Sequence, residues 1–202
     1  MQSIESRKLR GAIKSGRPDV ISRAIPYFQS ERFAPLSPFL NSAVTLVPVP
    51  RSAPLVENAL WPAKVIADAL HAEGFCAEVL PCIRRVTAVR KSSTAGEGQR
   101  PQVAEHLESL IARRGLEQPS RITLVDDVLA AGRTMMACAL RVQAAYPNAE
   151  IRAFAMLRTC SFVEDIDTIV HPVAGVIKYY PASGRTWRAD PDAPLPPKQV
   201  SP

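Results

Sequence analysis

The hydrophobic and polar positions change their period several times along the chain. Residues 43–49 form an apolar run rich in β-branched side chains, which predicts a buried strand. Pro48 and Pro50 end this strand, because proline cannot donate to a sheet ladder. Further apolar runs predict strands at residues 75–80, 121–125, 151–157 and 168–170.

Between these runs the apolar positions recur at helical spacing. Helices are predicted after Pro62, after Pro101 and after Gly132. Their apolar stripes are Val65, Ile66, Ala69 and Leu70; Val103, Leu107, Leu110 and Ile111; and Met135, Cys138, Ala139 and Val142. Gly74 and Gly115 mark the ends of the first two helices. Residues 84–100 lack an apolar period and are predicted to form a loop.

Strands that alternate with helices predict an α/β fold, with a mostly parallel central sheet flanked by helices. Four prolines divide the first forty residues into short helical pieces. We therefore expect an N-terminal helical segment at residues 1–40 and an α/β domain at residues 41–180. A proline-rich, disordered tail is expected at residues 181–202.

Composition narrows the class of protein. No apolar run reaches the roughly 18 residues that a membrane span needs, and residues 1–17 do not resemble a secretory signal. The four cysteines form no Cys-x-x-Cys pair, so we expect reduced, structural thiols in a cytoplasmic protein. The net charge of +6 suits a nucleic-acid partner, but equally a site for a small polyanion.

The most informative stretch is residues 122–136. A predicted buried strand leads to two carboxylates, Asp126 and Asp127, at the strand end where α/β sheets bind ligands. The Ala-Gly turn, residues 130–134, follows: its small residues Ala130, Ala131 and Gly132 leave the backbone accessible, and Thr134 adds a hydroxyl at a helix start. Free N–H groups at a helix start attract phosphate.

The charges of this stretch point to a sugar phosphate. Arg133 supplies a positive charge near the expected phosphate. Asp126 and Asp127 would repel phosphate, but they suit sugar hydroxyls, either directly or through Mg²⁺. The sequence therefore predicts a ribose 5-phosphate site. The alternative is an acidic strand end beside an ordinary helix.

Residues 122–134 resemble the signature of type I phosphoribosyltransferases, in which a hydrophobic strand leads into two acids, two hydrophobic residues, a small-residue turn and a threonine. Ala130 stands where hypoxanthine-type enzymes carry an aspartate, so a hypoxanthine or guanine enzyme is disfavoured. The resemblance implies a type I phosphoribosyltransferase-like fold. It also implies phosphoribosyl pyrophosphate as substrate, Mg²⁺ as cofactor, and catalytic roles for Asp126 and Asp127.

Residues 8–160 resemble more closely the competence-protein-F (ComF-like, amidophosphoribosyltransferase-like) branch of this superfamily. A basic helical segment at residues 8–28 precedes a Leu-Val-Pro-Val-Pro strand end at residues 46–50. The chain departs from that branch in two ways. It lacks the zinc-binding cysteines often found before the domain, and the arginine- and glycine-rich pyrophosphate stretch is reduced to Arg51 and Ser52.

The resemblance also assigns a role to a basic pair. Arg90 and Lys91 are similar to the Arg-Lys pair with which orotate and adenine enzymes meet pyrophosphate, and a loop bearing them could close over the reaction. The alternative is a solvated basic loop. His71, His106 and His171 share no metal-ligand spacing and are expected to be structural or at the surface. Trp61 is expected to pack at the start of its helix.

Three functions are compatible with the sequence. The first is Mg²⁺-assisted transfer of a phosphoribosyl group to a base or amine. The second is a non-catalytic sensor of a phosphoribosyl compound or nucleotide, or a competence-type protein partner; a homodimer is compatible with each. The third is direct nucleic-acid binding, which the pI near 9.4 supports although no motif does. No membrane association is expected.

Overall fold

A computed structural model describes residues 4–90, 100–159 and 172–189, with side chains from residue 8 onward. The α-helices are α1 Ile4–Lys14, α2 Pro18–Ala24, α3 Pro62–Ala72, α4 Val103–Glu108 and α5 Arg133–Ala145, and 3-10 helices span Ile25–Gln29 and Glu31–Leu36. The strands are β1 Thr45–Pro48, β2 Glu78–Val79, β3 Ile83–Arg85, β4 Leu110–Ala112, β5 Arg121–Leu129, β6 Glu150–Arg158, β7 Val176–Tyr180 and β8 Arg185–Ala189.

The central sheet has four parallel strands in the order β2-β1-β5-β6. Strand β1 pairs with β5 from Thr45 opposite Ile122 to Pro48 opposite Val125. Strands β3 and β4, and strands β7 and β8, form two separate antiparallel pairs. The mostly parallel sheet predicted from the sequence is confirmed, and the class is α/β.

Helices cover both faces of this sheet, because its central strands bury apolar side chains on both sides. Val47 and Leu124 pack with the buried face of α5 on one side. Leu46 and Val125 pack on the other side with α3 and with the N-terminal helices, whose Ile21 is fully buried. The N-terminal helical segment therefore belongs to the core that supports the sheet.

The predicted helix after Pro101 is wrong in its second half. Helix α4 ends at Glu108, and Leu110–Ala112 is a strand that pairs with Ile83–Arg85. The same pairing corrects the predicted loop, which was expected to begin at Arg84. A short apolar run fits a strand as well as a helix turn, and here the cross-strand pairing decides between them.

Two boundaries also differ from the expectation. The strand predicted at residues 75–80 is reduced to Glu78–Val79. Residues 185–189, assigned to the tail, form β8 and pair with β7. The strand predicted at residues 168–170 and the proline-rich residues 190–202 lie outside the described residues.

Cys76, Cys82 and Cys138 are buried and free of disulfide bonds. Among the described helices, none combines the length and apolar character that a membrane crossing requires.

Candidate functional site

The candidate site lies where β1 and β5 end. The N–H of Val49 donates to the carbonyl of Val125 at 2.8 Å, so the chain that follows β1 runs beside Asp126. Arg51 and Ser52 are thereby brought to the same sheet edge as the two acids, as the parallel register requires. Strand β5 is longer than predicted and continues through both acids to Leu129, because its pairing with β6 extends to Arg158.

The two acids form a close carboxyl pair. Asp126 Oδ1 accepts the N–H of Asp127 at 2.9 Å, and Asp127 Oδ1 accepts the N–H of Val128 at 2.8 Å. Burial raises the pKa of Asp126 well above its ordinary value, and the neighbouring charge of Asp127 raises it further. Lys14, at the end of α1, acts in the opposite direction. The pair therefore favours a shared proton or a bound cation.

Three successive carbonyl groups of the turn are hydrogen-bonded on one side. The carbonyl of Leu129 accepts from the N–H of Thr159 at 2.9 Å, and the carbonyls of Leu129 and Ala130 each accept from Arg188 Nη1 at 3.2 Å. The carbonyl of Ala131 accepts from Thr186 Oγ1 at 2.6 Å. Strand β8 therefore fixes the peptide planes of the turn.

This anchoring determines where the turn's N–H groups point. In a trans peptide, the N–H of one residue is antiparallel to the carbonyl before it, and no described peptide bond is cis. The N–H of Ala130 consequently points away from β6 and towards the chain that follows β1. Those of Ala131 and Gly132 point away from the β7–β8 pair. No described residue accepts from these three groups.

Gly132 joins the turn to α5 with a left-handed backbone, at φ 82°. The next residues are helical, and a left-handed residue beside helical ones gathers successive N–H groups into a concave, anion-binding arrangement. Side-chain contact from β7 makes the position tighter still. A Cβ on Gly132 would lie 2.9 Å from Cγ2 of Ile177. Both the left-handed backbone and the close approach of Ile177 therefore favour glycine at position 132.

Thr134 contacts a histidine that the sequence did not connect with the site. Its Oγ1 lies 3.3 Å from Nε2 of His106, which is only 2% exposed. Burial lowers the pKa of His106 to about 4, and the charges of Arg85 and Arg133 lower it against the opposing effect of Glu105. The ring is therefore neutral at pH 7.

Arg133 does not project freely over the turn. Its Nη1 donates to the carbonyls of Arg100 at 3.1 Å and Pro101 at 3.4 Å. Burial, followed by the charges of Arg100 and Arg185, lowers the pKa of Arg133. The expected positive charge is present, but the side chain ties α5 to the segment before α4.

Arg85 is a second residue that sequence reasoning missed. It is 4% exposed, and its Nε donates to the carbonyl of Arg51 at 2.5 Å while Nη1 donates to Oγ of Ser109. Its Nη2 is buried without a partner among the described residues. The alternation of buried, exposed and buried residues in β3 singles out Arg85 over Arg84 only after the strand is known.

The remaining predicted residues are distributed around this edge. Arg51 Nη1 donates to the carbonyl of Leu60 at 2.8 Å, within the loop after β1. Trp61 packs at the start of α3 as expected, and its indole N–H donates to the carbonyl of Val49 at 2.8 Å. Arg90 lies within the described residues and has an interaction partner. Lys91 lies outside the described residues.

Concave surfaces elsewhere do not contain this chemistry. A cleft of about 530 Å³ lies at the opposite end of the strands, beside Thr45 and Glu78, where β1 and β2 begin. A groove of about 230 Å³ lies among the N-terminal helices, beside Phe28 and Phe33. Within the described ranges, no group of three or more His, Cys, Asp or Glu residues could hold a metal ion. We place the candidate site at the turn because its N–H groups, which lack described acceptors, lie close to the carboxyl pair there.

Comparison with known proteins gives no family for this chain. No protein-family model matches it, and no curated protein matches it.

Replacing Gly132 with alanine should destabilise the protein by about 2–5 kcal/mol, since a left-handed alanine costs roughly 1–2 kcal/mol and overpacking adds about 1–3 kcal/mol. Gly74→Ala is the matched control, because Gly74 has φ +77° and a Cβ placed there would meet nothing within 4 Å. Urea unfolding measures both variants. Equal losses would contradict the proposed contact with Ile177.

The free energy of unfolding should fall as the pH decreases from 6.5 towards 4. Over that range the unfolded chain protonates His106, while the folded chain keeps it neutral, so protonation favours unfolding. The fall from 6.5 to about 4 corresponds to about 3 kcal/mol. Unfolding curves of wild type and His106→Gln should diverge by this amount. His71→Gln, which retains His106, should follow wild type; parallel curves for all three would refute the prediction.

Proposed function

We propose that this protein binds phosphoribosyl pyrophosphate with Mg²⁺ and transfers the phosphoribosyl group to a base or amine, as a type I phosphoribosyltransferase-like protein. The observation that carries the proposal is the arrangement of β5 and its turn. A carboxyl pair at Asp126 and Asp127 is followed, within a few residues, by outward N–H groups at Ala130, Ala131 and Gly132.

The spacing of these two parts suits a sugar phosphate. From Asp127 to Ala130 the chain rises by about 10 Å if it remains extended. Carboxyl oxygens at one end of that span can accept from ribose hydroxyls. Backbone N–H groups at the other end, with the positive end of the α5 dipole, can bind a 5′-phosphate. A bare phosphate would use only half of this site.

The segment after β1 supplies a second set of N–H groups. The carbonyl of Arg51 accepts from Arg85, and the carbonyl of Ser52 accepts from the N–H of Val89 at 2.8 Å. By the same peptide geometry, the N–H groups of Ser52 and Ala53 point away from these donors. This supports a pyrophosphate contact through the backbone at Ser52, with Arg85 as its support.

The donor set at the acid pair fits Mg²⁺. Mg²⁺ is commonly bound by one or two carboxylates together with substrate oxygens and water. Burial raises the pKa of Asp126 and repulsion from Asp127 raises it further; a divalent cation would relieve that repulsion. Asp126 and Asp127 would hold the ion, and when bound it would neutralise charge on the pyrophosphate.

In the proposed reaction, the C1–O bond to pyrophosphate breaks and a bond from C1 to the acceptor nitrogen forms. The nitrogen releases its proton to solvent, and pyrophosphate leaves with both electrons of the broken bond. The turn would hold the 5′-phosphate and the acids would orient the ribose. Catalysis by this chain would therefore consist of orientation and stabilisation of the leaving charge.

A non-catalytic sensor of the same ligand is the second candidate. The observation that favours it is the side chain of Arg51, which donates to the carbonyl of Leu60 within its own loop. A pyrophosphate site held mainly by backbone N–H groups suits binding, but gives less help to a leaving group than a free guanidinium would.

Calorimetry with phosphoribosyl pyrophosphate and Mg²⁺ tests the shared site. Wild type should bind, and the Asp126→Asn, Asp127→Asn double variant should lose the signal. Asparagine keeps an oxygen for the backbone N–H groups, but it removes the charge and the metal affinity. Asp68→Asn is the matched control, because Asp68 is an exposed acid that pairs with Lys64 on α3 at 2.7 Å. Unchanged binding by the double variant would refute the site.

Two further measurements separate the functions. Release of pyrophosphate in the presence of one of a panel of bases or amines would establish transfer, and its absence with intact binding would favour a sensor. A steep salt dependence of DNA affinity that persists in the double variant would instead favour nucleic-acid binding.

A further inference from the structure

His106 and Thr134 form a contact that links α4 to the first turn of α5. The Thr134 hydroxyl lies 3.3 Å from Nε2 of His106, and the other ring nitrogen, Nδ1, has no partner among the described residues. His106 is fixed in the helix by its N–H, which donates to the carbonyl of Gln102, and its carbonyl accepts from Oγ of Ser109. Because His106 is also only 2% exposed, close packing leaves the ring little freedom to turn.

The charges around the ring select its tautomer. A neutral imidazole carries one N–H, on either Nδ1 or Nε2. A proton on Nδ1 would bury a donor without an acceptor, near a ring on which the positive charges of Arg85 and Arg133 outweigh the negative charge of Glu105. A proton on Nε2 instead donates to Thr134, and leaves a lone pair on Nδ1 in positive surroundings. The second arrangement costs less.

This tautomer determines what the threonine can do. When Oγ1 accepts from His106, the hydroxyl keeps its own proton for another acceptor. A helical threonine often donates to the carbonyl four residues earlier. Here that residue is Ala130, which precedes the start of α5, and its carbonyl accepts from Arg188 rather than from Thr134. The hydroxyl proton is therefore available to an anion on the Ala-Gly turn.

We propose that His106 is a positioning residue, which donates from Nε2 to Oγ1 of Thr134 and so directs the threonine proton towards an anion bound at the Ala-Gly turn. This inference rests on the proposed function, since it deepens the description of the same site. It assigns His106 no contact with the ligand. It also explains why a polar residue lies buried behind a turn composed of small ones.

The tautomer is measured directly on the ligand-free protein. Long-range ¹H–¹⁵N correlation spectra of ¹⁵N-labelled wild type distinguish an Nε2–H ring from an Nδ1–H ring, and the signal missing in His106→Gln assigns the residue. The expected result at pH 7 is a neutral Nε2–H ring. A ring protonated at Nδ1 alone would overturn the inference.

Binding of phosphoribosyl pyrophosphate with Mg²⁺ then tests the coupling. Thr134→Val and His106→Leu should each weaken binding about tenfold, and the double variant should be no weaker than the poorer single variant, because both remove one arrangement. Thr134→Ser and His106→Gln, which retain a hydroxyl and an N–H donor, should stay within about threefold of wild type. These two variants keep the test valid if His106→Leu does not fold.

The outcomes separate the two proposals. If wild type does not bind, the proposed function fails and this inference fails with it. If wild type binds but the losses from Thr134→Val and His106→Leu add independently, the inference alone is overturned. Equal weakening by His106→Gln and His106→Leu would likewise overturn it, because a purely structural role would give that result.

Discussion

The hydrogen bonds from β8 to the turn after β5 are the interaction on which the candidate site depends. Thr186 and Arg188 lie two residues apart, so they project from the same face of β8. They bind the carbonyls of Ala130 and Ala131, and a planar peptide must then direct its N–H to the other side. A loop anchored only at its ends would sample many orientations, and ordering it would weaken the binding of an anion.

The second constraint is the buried guanidinium of Arg85, which has no carboxylate among its described hydrogen-bond partners. Arg85 and His106 are almost fully buried, and the described contacts of Arg85 are to a carbonyl and a hydroxyl. A buried guanidinium without a carboxylate is costly. Evolution of a stable core alone would favour an apolar residue at this position. A bound anion would compensate the charge of Arg85 and stabilise the folded state by linkage. A need to bind an anion would therefore account for a guanidinium at this buried position.

The sequence indicated the parts of the candidate site that are contiguous. Asp126, Gly132 and Thr134 could be singled out because a buried strand, a turn and a helix follow each other in one short stretch. The missing parts join distant positions: Arg85 with Arg51, His106 with Thr134, and Arg188 with Ala130. No local period encodes such contacts. The strand at Leu110–Ala112 was missed for a related reason, since its pairing with β3, rather than its own pattern, determines its structure.

The structure also limits how the two ends of the site can share one ligand. The acid pair attracts hydrogen-bond donors and the N–H groups of the turn attract anions. A ligand suited to both would carry hydroxyls at one end and an anion at the other. A nucleic-acid backbone presents phosphates at every step and would meet the acids as well as the turn. A divalent cation on Asp126 and Asp127 would reverse the sign of that end and admit a second anionic group. Under the proposed function, the cation would therefore decide whether the site accepts a sugar monophosphate or a pyrophosphorylated sugar.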